Sequence, residues 1–570
     1  MATKTHIIPS ERRTTVQVTL PDGRTFEGPL GTTVEAFLRA SGGQPTPPVV
    51  AALLGGELRE LSFPVGADAD LVPLDTSTGD GSRIFRRSLA FVLVVAVREI
   101  LPGCDVEVDH SVSDGGLFCT AYRHPPFTPE ELRRIESRMR EIVEADEPIH
   151  RREVPLPEAI QLLEREGYID KIRLLRTRKK HYLTLYSLRG IEDYFHGYMV
   201  PSTGYLRMFR LHRTGGGFVL RFPRRHLPDK ILPDGDYPKL WATFQEYGRW
   251  QERLGLEDVG MLNDAIEQGR GRELILVAEA LHDQKTAEIA RRIAESRNRI
   301  RLVLIAGPSS SGKTTFSRRL SIQLLSQGLR PFPLEMDNYF VDREDTPCDE
   351  SGKPDFESFQ AVDRELLNDN LQRLLAGEEV ALPRFDFKTG KRAAGETVCL
   401  PGKAVIIMEG IHGLNPELLP RFRSGEIFRI YASALTQLNL DRHSRISTTD
   451  TRLIRRIVRD ASQRGHSPEF TISLWDRVRR GERQNIFVYQ ENSDGMFNSA
   501  LVYELAALRP IAEPLLRQID PDRPEYIEAK RLLALLAWFR PLSPDFIPDD
   551  SILREFIGGS ILDQFRVWGA

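Results

Sequence analysis

The stretch Gly307-Pro308-Ser309-Ser310-Ser311-Gly312-Lys313-Thr314-Thr315 carries the plainest chemistry in the sequence. It fits the pattern G-x-x-x-x-G-K-[ST] in full. Its glycines let backbone N–H groups turn inward around phosphate oxygens, and a following helix adds partial positive charge at its N-terminus. Lys313 is expected to reach the β- and γ-phosphates of a nucleotide, and the Thr314 hydroxyl to ligate magnesium. Two carboxylates, Asp337 and Glu409, form a candidate pair for metal and base chemistry. A third cluster is all cationic: Arg452, Arg455, Arg456 and Arg459 recur at i, i+3, i+4 and i+7. On a helix they share one face, with Leu453, Ile454, Ile457 and Val458 opposite. A solvated face normally mixes signs, so an all-arginine face is expected to point outward at phosphate and stabilise a transferring phosphoryl group.

These groups need a scaffold. Arg301 to Ala306 (RLVLIA) reads as a buried parallel strand immediately before the loop. An amphipathic helix with Phe316, Leu320, Leu324 and Leu325 on one face follows it. A second strand, Pro331 to Met336, runs into Asp337, and a third, Val405 to Met408, runs into Glu409. In an open α/β sheet the C-terminal ends of strands face the ligand crevice. Asp337 and Glu409 would therefore both face a bound nucleotide, and Glu409 would hold magnesium directly or through water. Arg464-Gly465 would hinge or end the arginine helix, a lid that excludes water. A GTPase should carry an Asn-Lys-x-Asp motif. None is present, and Asn439-Leu440-Asp441 is not one.

The loop, Asp337-Asn338-Tyr339-Phe340, Phe385-Asp386-Phe387, Ile407-Met408-Glu409-Gly410 and the run Asp450 to Asp460 together resemble the uridine/cytidine kinases, which group with phosphoribulokinases. The resemblance spans roughly residues 300–470. It implies a P-loop kinase using ATP and magnesium, with Gly307 to Thr315 cradling the nucleotide. Asp337 would accept the proton of a nucleoside 5′-hydroxyl, with Lys313, Arg456 and Arg459 as the other catalytic groups. Arg455 and Arg464 would help clamp the triphosphate. Thr314, Glu409 and Asp337 would be the metal-facing groups. Tyr339, Phe340 and Phe385 would line the nucleoside pocket. Asp355, or Glu357 close by, would replace the ribose-binding aspartate. Phe356 and Arg392 are counted with the pocket, and Arg452 would face the acceptor. Two departures stand out: Phe385 replaces a tyrosine, and Gly390 replaces a histidine. Both lost groups would hydrogen-bond a pyrimidine, so the choice of base is relaxed or redirected.

The first half reads differently. Val16 to Leu20 alternates at period two, Pro21-Asp22-Gly23 supplies a turn, and Thr32 or Thr33 caps a helix from Val34 to Ala40. A strand from Val49 to Leu54 completes a β-grasp pattern that resembles the TGS module of threonyl-tRNA synthetases and some GTPases. Pro126 to Leu132, leading into a charged amphipathic helix, and Val200-Pro201-Ser202-Thr203-Gly204 resemble the second additional domain of threonyl-tRNA synthetase. That domain's editing site has His-x-x-x-His and Cys-x-x-x-His. Here the four positions read Arg87, Phe91, Phe195 and Met199. Neither arginine nor phenylalanine offers a lone pair, so neither a metal nor editing hydrolysis is expected. His196 reads as a satisfied surface or cleft histidine.

The 570 residues exceed a single core. With 78 Lys and Arg against 81 Asp and Glu, the formal charge of −3 argues against a nucleic-acid-coating protein, though not against a local basic patch. Four cysteines form no disulfide framework, which suits a reducing cytoplasm. The longest apolar run, Ala90 to Val97, is too short for a membrane span. The expected fold class is α/β: a C-terminal P-loop kinase with a mostly parallel sheet, after a β-grasp domain and an α+β synthetase-like domain. The expected boundaries are 1–78, 79–225, a helical connector 226–295, the kinase 296–515 and a helical extension 516–570. The whole chain resembles bacterial nucleoside kinases with TGS and synthetase-like N-terminal domains. A ribonucleoside acceptor and a homo-oligomer are expected. The alternatives are a kinase for another alcohol, or an ATP-regulated protein whose first half binds RNA or tRNA through clusters such as Arg12-Arg13 and Arg176 to Lys180.

Overall fold

The computed structural model describes residues 13–42, 46–349, 352, 354–386, 389–400, 402 and 404–565. Arg12 of the basic cluster and Phe387 of the Phe385-Asp386-Phe387 motif lie outside the described residues. The chain folds as two compact units. The first comprises Met1–Ile172, Lys179–Gly235 and the short segment Arg442–Arg445; the second comprises Arg173–Arg178, Asp236–Asp441 and Ile446–Ala570. The connector from Asp236 onward and the C-terminal extension thus belong to the same unit as the kinase sequence. They are not separate bodies, because their apolar faces are covered within it.

The first unit opens with strands β1 (Thr15–Thr19) and β2 (Thr25–Pro29), helix α1 (Val34–Ala40), and strands β3 (Val49–Leu54), β4 (Glu57–Glu60) and β5 (Ala69–Asp75). They form a mixed sheet in the order β2-β1-β5-β3-β4, with β1 and β5 parallel. The Thr33 hydroxyl caps α1. Helix α2 (Gly79–Ile100) follows, and Ser88 to Val97 within it are all buried, so the long apolar run is a core helix. Strands β6 (Asp105–Ser111) and β7 (Gly116–Tyr122), helix α3 (Pro129–Glu144), strand β8 (His150–Pro155), helices α4 (Leu156–Arg165) and α5 (Ile169–Leu175), and strands β9 (Tyr182–Leu188), β10 (Ile191–Asp193), β11 (Arg210–Thr214) and β12 (Gly217–Arg221) complete the unit. They make two antiparallel sheets, β11-β12-β7-β6 and β10-β9-β8. A capping box between Thr128 and Glu131, with Pro129 in the first turn, starts α3 where the sequence placed it.

The second unit begins with helices α6 (Pro238–Leu254), α7 (Val259–Glu267) and α8 (Gly271–Glu295). Then come β13 (Leu302–Ala306), α9 (Lys313–Ser326), β14 (Arg330–Glu335), α10 (Arg364–Leu375), the hairpin β15 (Val380–Asp386) and β16 (Lys391–Val398), β17 (Ala404–Glu409), β18 (Ile427–Ser433), α11 (Thr448–Gln463), α12 (Pro468–Ser473), α13 (Trp475–Asn485), β19 (Gly495–Asn498), α14 (Glu504–Leu516), α15 (Tyr526–Leu536) and α16 (Arg554–Ile557). The main sheet is parallel throughout, in the order β14-β17-β13-β18-β19. β13 is buried at every position, as a strand covered on both faces must be. The strand order reverses at β13, since β14 and β17 lie to one side and β18 and β19 to the other. The loop after β13 therefore opens at a topological switch point.

Candidate active site

The loop between β13 and α9 owes its shape to two glycines. A Cβ at Gly307 would lie 1.8 Å from the Ala432 carbonyl oxygen, so no other residue fits against β18 there. Gly312, with φ of 80°, turns the chain into α9. The Lys313 ammonium donates to the carbonyls of Gly307 at 2.9 Å and Pro308 at 3.2 Å, curling back over the loop. The Thr314 hydroxyl donates to both oxygens of Glu409, at 3.0 and 3.2 Å. The N–H of Ser309 donates to Glu482 at 2.9 Å, and that of Thr315 to Glu555 at 3.0 Å.

The register between β14 and β17 pairs Glu335 with Glu409, so these strand ends are level. Asp337 sits just beyond β14, in a turn of 3-10 helix from Met336 to Tyr339. Its side chain is reached by solvent although protein packs around it. That confinement raises its pKa, while Lys313 pulls the other way. Burial pushes Glu409 up to about 7 against Lys313, with Glu555 and Asp337 adding to the rise. Glu357 is also pushed to about 7, by burial and then by Glu482, with Arg456 and Lys313 opposing. Three carboxylates thus share the field of one lysine, an excess of negative charge that a cation would relieve. The donor set around Thr314 and Glu409 is all oxygen, which suits magnesium. Among the described residues no group of three or more His, Cys, Asp or Glu side chains is spaced to hold a metal.

The arginine helix departs from expectation. α11 does bury Leu453, Ile454, Ile457 and Val458, but Arg452 and Arg455 are no more exposed than they are. Arg452 pairs with Glu482 and donates to the Ser309 carbonyl at 3.1 Å. Arg455 pairs with Glu504 at 2.6 Å, donates to the Ser499 carbonyl at 2.8 Å, and points another nitrogen at the Ser310 carbonyl at 3.4 Å. A buried guanidinium needs such a carboxylate, and helices on several sides supply them. Arg452 and Arg455 therefore do not form an outward face; they brace the loop from behind. Arg456 donates to the Ser309 hydroxyl at 2.7 Å. Arg459 holds Asp460 at 2.8 Å, and Arg464, about half exposed, lies 3.7 Å from the same carboxylate. Glu482, Glu504 and Glu555 were missed in the sequence because nothing local marks them. They lie on separate elements far along the chain.

Beyond Asp337 the chain gathers aromatics. Phe340 stands 5.8 Å from Phe385, edge to face, and 6.2 Å from Phe356. Tyr339 is fully buried and its hydroxyl accepts from Asn370 at 3.3 Å; Phe340 and Phe385 are buried in the same core, with Phe356 partly buried against it. Arg392 is committed to Asp363 at 2.8 Å. Asp355 caps the Glu357 N–H at 3.2 Å, and Asn485 holds the Glu357 carbonyl at 2.7 Å. Of the two carboxylates considered for the acceptor, Glu357 is the one in the field of Lys313 and Asp337. Gly390, with φ of 70°, carries its carbonyl to the Arg343 N–H at 2.8 Å.

The synthetase-like cleft of the first unit is filled. Phe91 and Phe195 meet at 5.3 Å, Met199 is buried, and Arg87 donates to the Tyr198 carbonyl at 2.6 Å. His196 lies edge-on to Tyr194 at 4.7 Å. Behind them Lys171 pairs with Asp193 at 2.6 Å, both wholly buried. His443, on the segment that the chain returns to this unit, stacks on Phe195 at 6.0 Å. Its ring nitrogens lie 2.8 Å from Asp193 and 3.1 Å from Asp105. Burial alone would push His443 down; Asp105 and Asp193 outweigh it and hold the pKa above the usual imidazole range.

A parallel sheet with a phosphate loop at its switch point and acids at neighbouring strand ends defines a P-loop kinase fold. Residues 302–499 match the Phosphoribulokinase / Uridine kinase family, and this part of the chain is a domain of that family. Among curated proteins, the N-terminal part is similar to threonine–tRNA ligases. One from an Acidovorax species is 30% identical over 267 residues, covering 46% of this chain and 40% of the ligase. One from Burkholderia multivorans is 34% identical over 206 residues, covering 36% and 32%. The chain thus spans well under half the length of these relatives. Among solved structures, a possible uridine kinase from Bacillus stearothermophilus is 29% identical, covering 23% of this chain and 70% of that one, with a TM-score of 0.20. No described helix is long and apolar enough to cross a membrane.

Proposed function

We propose that the chain is a kinase that transfers the γ-phosphoryl group of ATP to the 5′-hydroxyl of a ribonucleoside. The observation that carries this reading is the meeting of the phosphate loop, Thr314–Glu409 and Asp337 at the ends of adjacent parallel strands. Lys313 and the loop amides would hold the polyphosphate, and Arg456, anchored on Ser309, would face charge developing on the transferred group. Magnesium, held by Thr314 and Glu409, would neutralise phosphate charge. Asp337, exposed just beyond the end of β14, would accept the acceptor's proton. The Phe340, Phe356 and Phe385 cluster supports a planar base, and Glu357 is the carboxylate suited to the ribose hydroxyls. The test is product formation from ATP, magnesium and a panel of nucleosides, beside sugar phosphates and simple alcohols. Nucleosides alone should be phosphorylated; turnover of only the other alcohols would reassign the acceptor, and turnover of none would remove the assignment.

A second reading concerns the first unit. Its similarity to tRNA ligases supports an RNA-binding role alongside the kinase. Salt-sensitive binding of tRNA to the full chain is expected on this reading, and its absence at low salt would reject it.

A further inference from the structure

The segment from Ser551 to Ile557 packs against the phosphate loop. Ile552 lies so close to Gly312 that a Cβ there would come within 2.6 Å of its Cγ2. Ile552, Leu553 and Phe556 are wholly buried, and the Ser551 hydroxyl donates to Glu279 at 2.5 Å. The same segment is tied to the end of α11. Gln463 donates to the Glu555 carbonyl at 2.8 Å, Ser462 to the Phe556 carbonyl at 3.3 Å, and the Arg455 guanidinium lies 5.0 Å from the Phe556 ring centre.

These ties aim the Glu555 side chain at the loop, where it accepts the Thr315 N–H at 3.0 Å. That N–H belongs to the first turn of α9, whose amides have no partner within the helix and are the donors a bound polyphosphate uses. Glu482 accepts the Ser309 N–H in the same manner at the loop's other end, but two arginines, Arg452 and Arg479, hold it there. Glu555 is positioned through its main chain, so its carboxylate can swing away without breaking an arginine pair that secures the loop.

We propose that Glu555 is a built-in competitor for the nucleotide, its carboxylate standing in for a phosphate oxygen on the Thr315 amide. A polyphosphate must displace this carboxylate to seat fully. The main-chain ties to Gln463 and Ser462 do not involve that carboxylate, so they stay in place and keep it poised to return when the ligand leaves. The inference rests on reading the loop as a polyphosphate site.

The experiment titrates the full chain with ATP and with inorganic tripolyphosphate, by calorimetry, for the wild type, Glu555→Gln and Glu555→Ala. Losing a charge-assisted hydrogen bond from the ligand-free state should tighten both ligands by roughly 10-fold. Affinity that is unchanged or weaker in the variants, while the wild type binds, overturns the competitor and leaves the kinase assignment standing. No binding by any form overturns both. A measurement on the wild type alone guards against misfolded variants. A structure of the wild type with tripolyphosphate bound should show the Glu555 carboxylate off the Thr315 amide, and a carboxylate still bonded there overturns the proposal.

Discussion

The filled cleft of the first unit and the phosphate loop of the second both gather charged side chains, but the charges are balanced in one and unbalanced in the other. In the cleft Lys171 answers Asp193, His443 answers Asp105 and Asp193, and Arg442 answers Asp170 at 3.0 Å. Phe91, Phe195 and Met199 fill the space where a ligand would need room. At the loop, Asp337, Glu357 and Glu409 are all raised, and the nearby Lys313 is bonded to loop carbonyls instead of an acid. A cluster that satisfies itself is architecture; one left with surplus charge and an open wall is built for something that arrives.

The largest effect expected from this contrast is at Asp337. Asp337→Asn keeps the side chain's shape and removes its capacity to take a proton. Phosphoryl transfer should fall by about 10²- to 10⁴-fold, while ATP affinity measured by titration stays within about threefold, less than 1 kcal/mol. Equal rates for variant and wild type would mean that the unbalanced site does no proton chemistry, and the contrast would collapse.

In the cleft the corresponding loss should be one of stability. Lys171→Met leaves the buried Asp193 with His443 as its one cationic partner among the described residues, and breaking a buried pair costs up to about 3–5 kcal/mol. The two units can be followed separately. The four described tryptophans, Trp241, Trp250, Trp475 and Trp538, lie in the second, and the buried thiols Cys104 and Cys119 lie in the first. Urea unfolding read by alkylation of those two cysteines should shift to lower denaturant in Lys171→Met. Adding Asp193→Asn to it should recover part of the loss. A shift worth under about 1 kcal/mol would show that the cleft is not closed by its charges.

Much of this was legible in the sequence, and what was not shares a cause. The loop, its flanking strand and helix, and the strand ends at Asp337 and Glu409 are local patterns, and the sheet places them together. The capped start of α3 and the loss of ligand types at Arg87, Phe91, Phe195 and Met199 were equally readable, because each depends on neighbours in sequence. The arginine helix was half legible. Its period gave the apolar face, but Arg452 and Arg455 are buried by Glu482 and Glu504, which no spacing rule connects to them. The Tyr339 hydroxyl likewise has a partner no spacing rule reveals, Asn370 on α10. His443 is the extreme case: four residues of one sequence region, Arg442–Arg445, fold with the other unit.

The smallest expected effect, and the one that most sharpens the comparison, is in pH dependence. His443 is held above its ordinary value, so the folded first unit binds a proton that the unfolded chain has released above about 6.5. Its contribution is present in full below that pH and is lost as pH rises through the raised folded value. In the second unit, His282 is pushed down to about 3 by burial and then by Arg319, and His412 is pushed down to about 4 by burial. Both are neutral above about 6.5 in either state, and Glu357 and Glu409, raised to about 7, are ionised once pH is well past that value. From about pH 7.5 to 9, cysteine alkylation should therefore report a first unit that weakens, by at most about 1.4 kcal/mol per pH unit through His443, with the thiols of Cys104 and Cys119, which burial pushes up, adding to the loss. Tryptophan fluorescence should report a second unit that barely changes. His443→Gln should reduce the first response to the part the two thiols contribute and leave the second untouched. If the variant keeps the wild-type slope, the proton is held elsewhere and the balance of charges in the cleft does not depend on the returning segment.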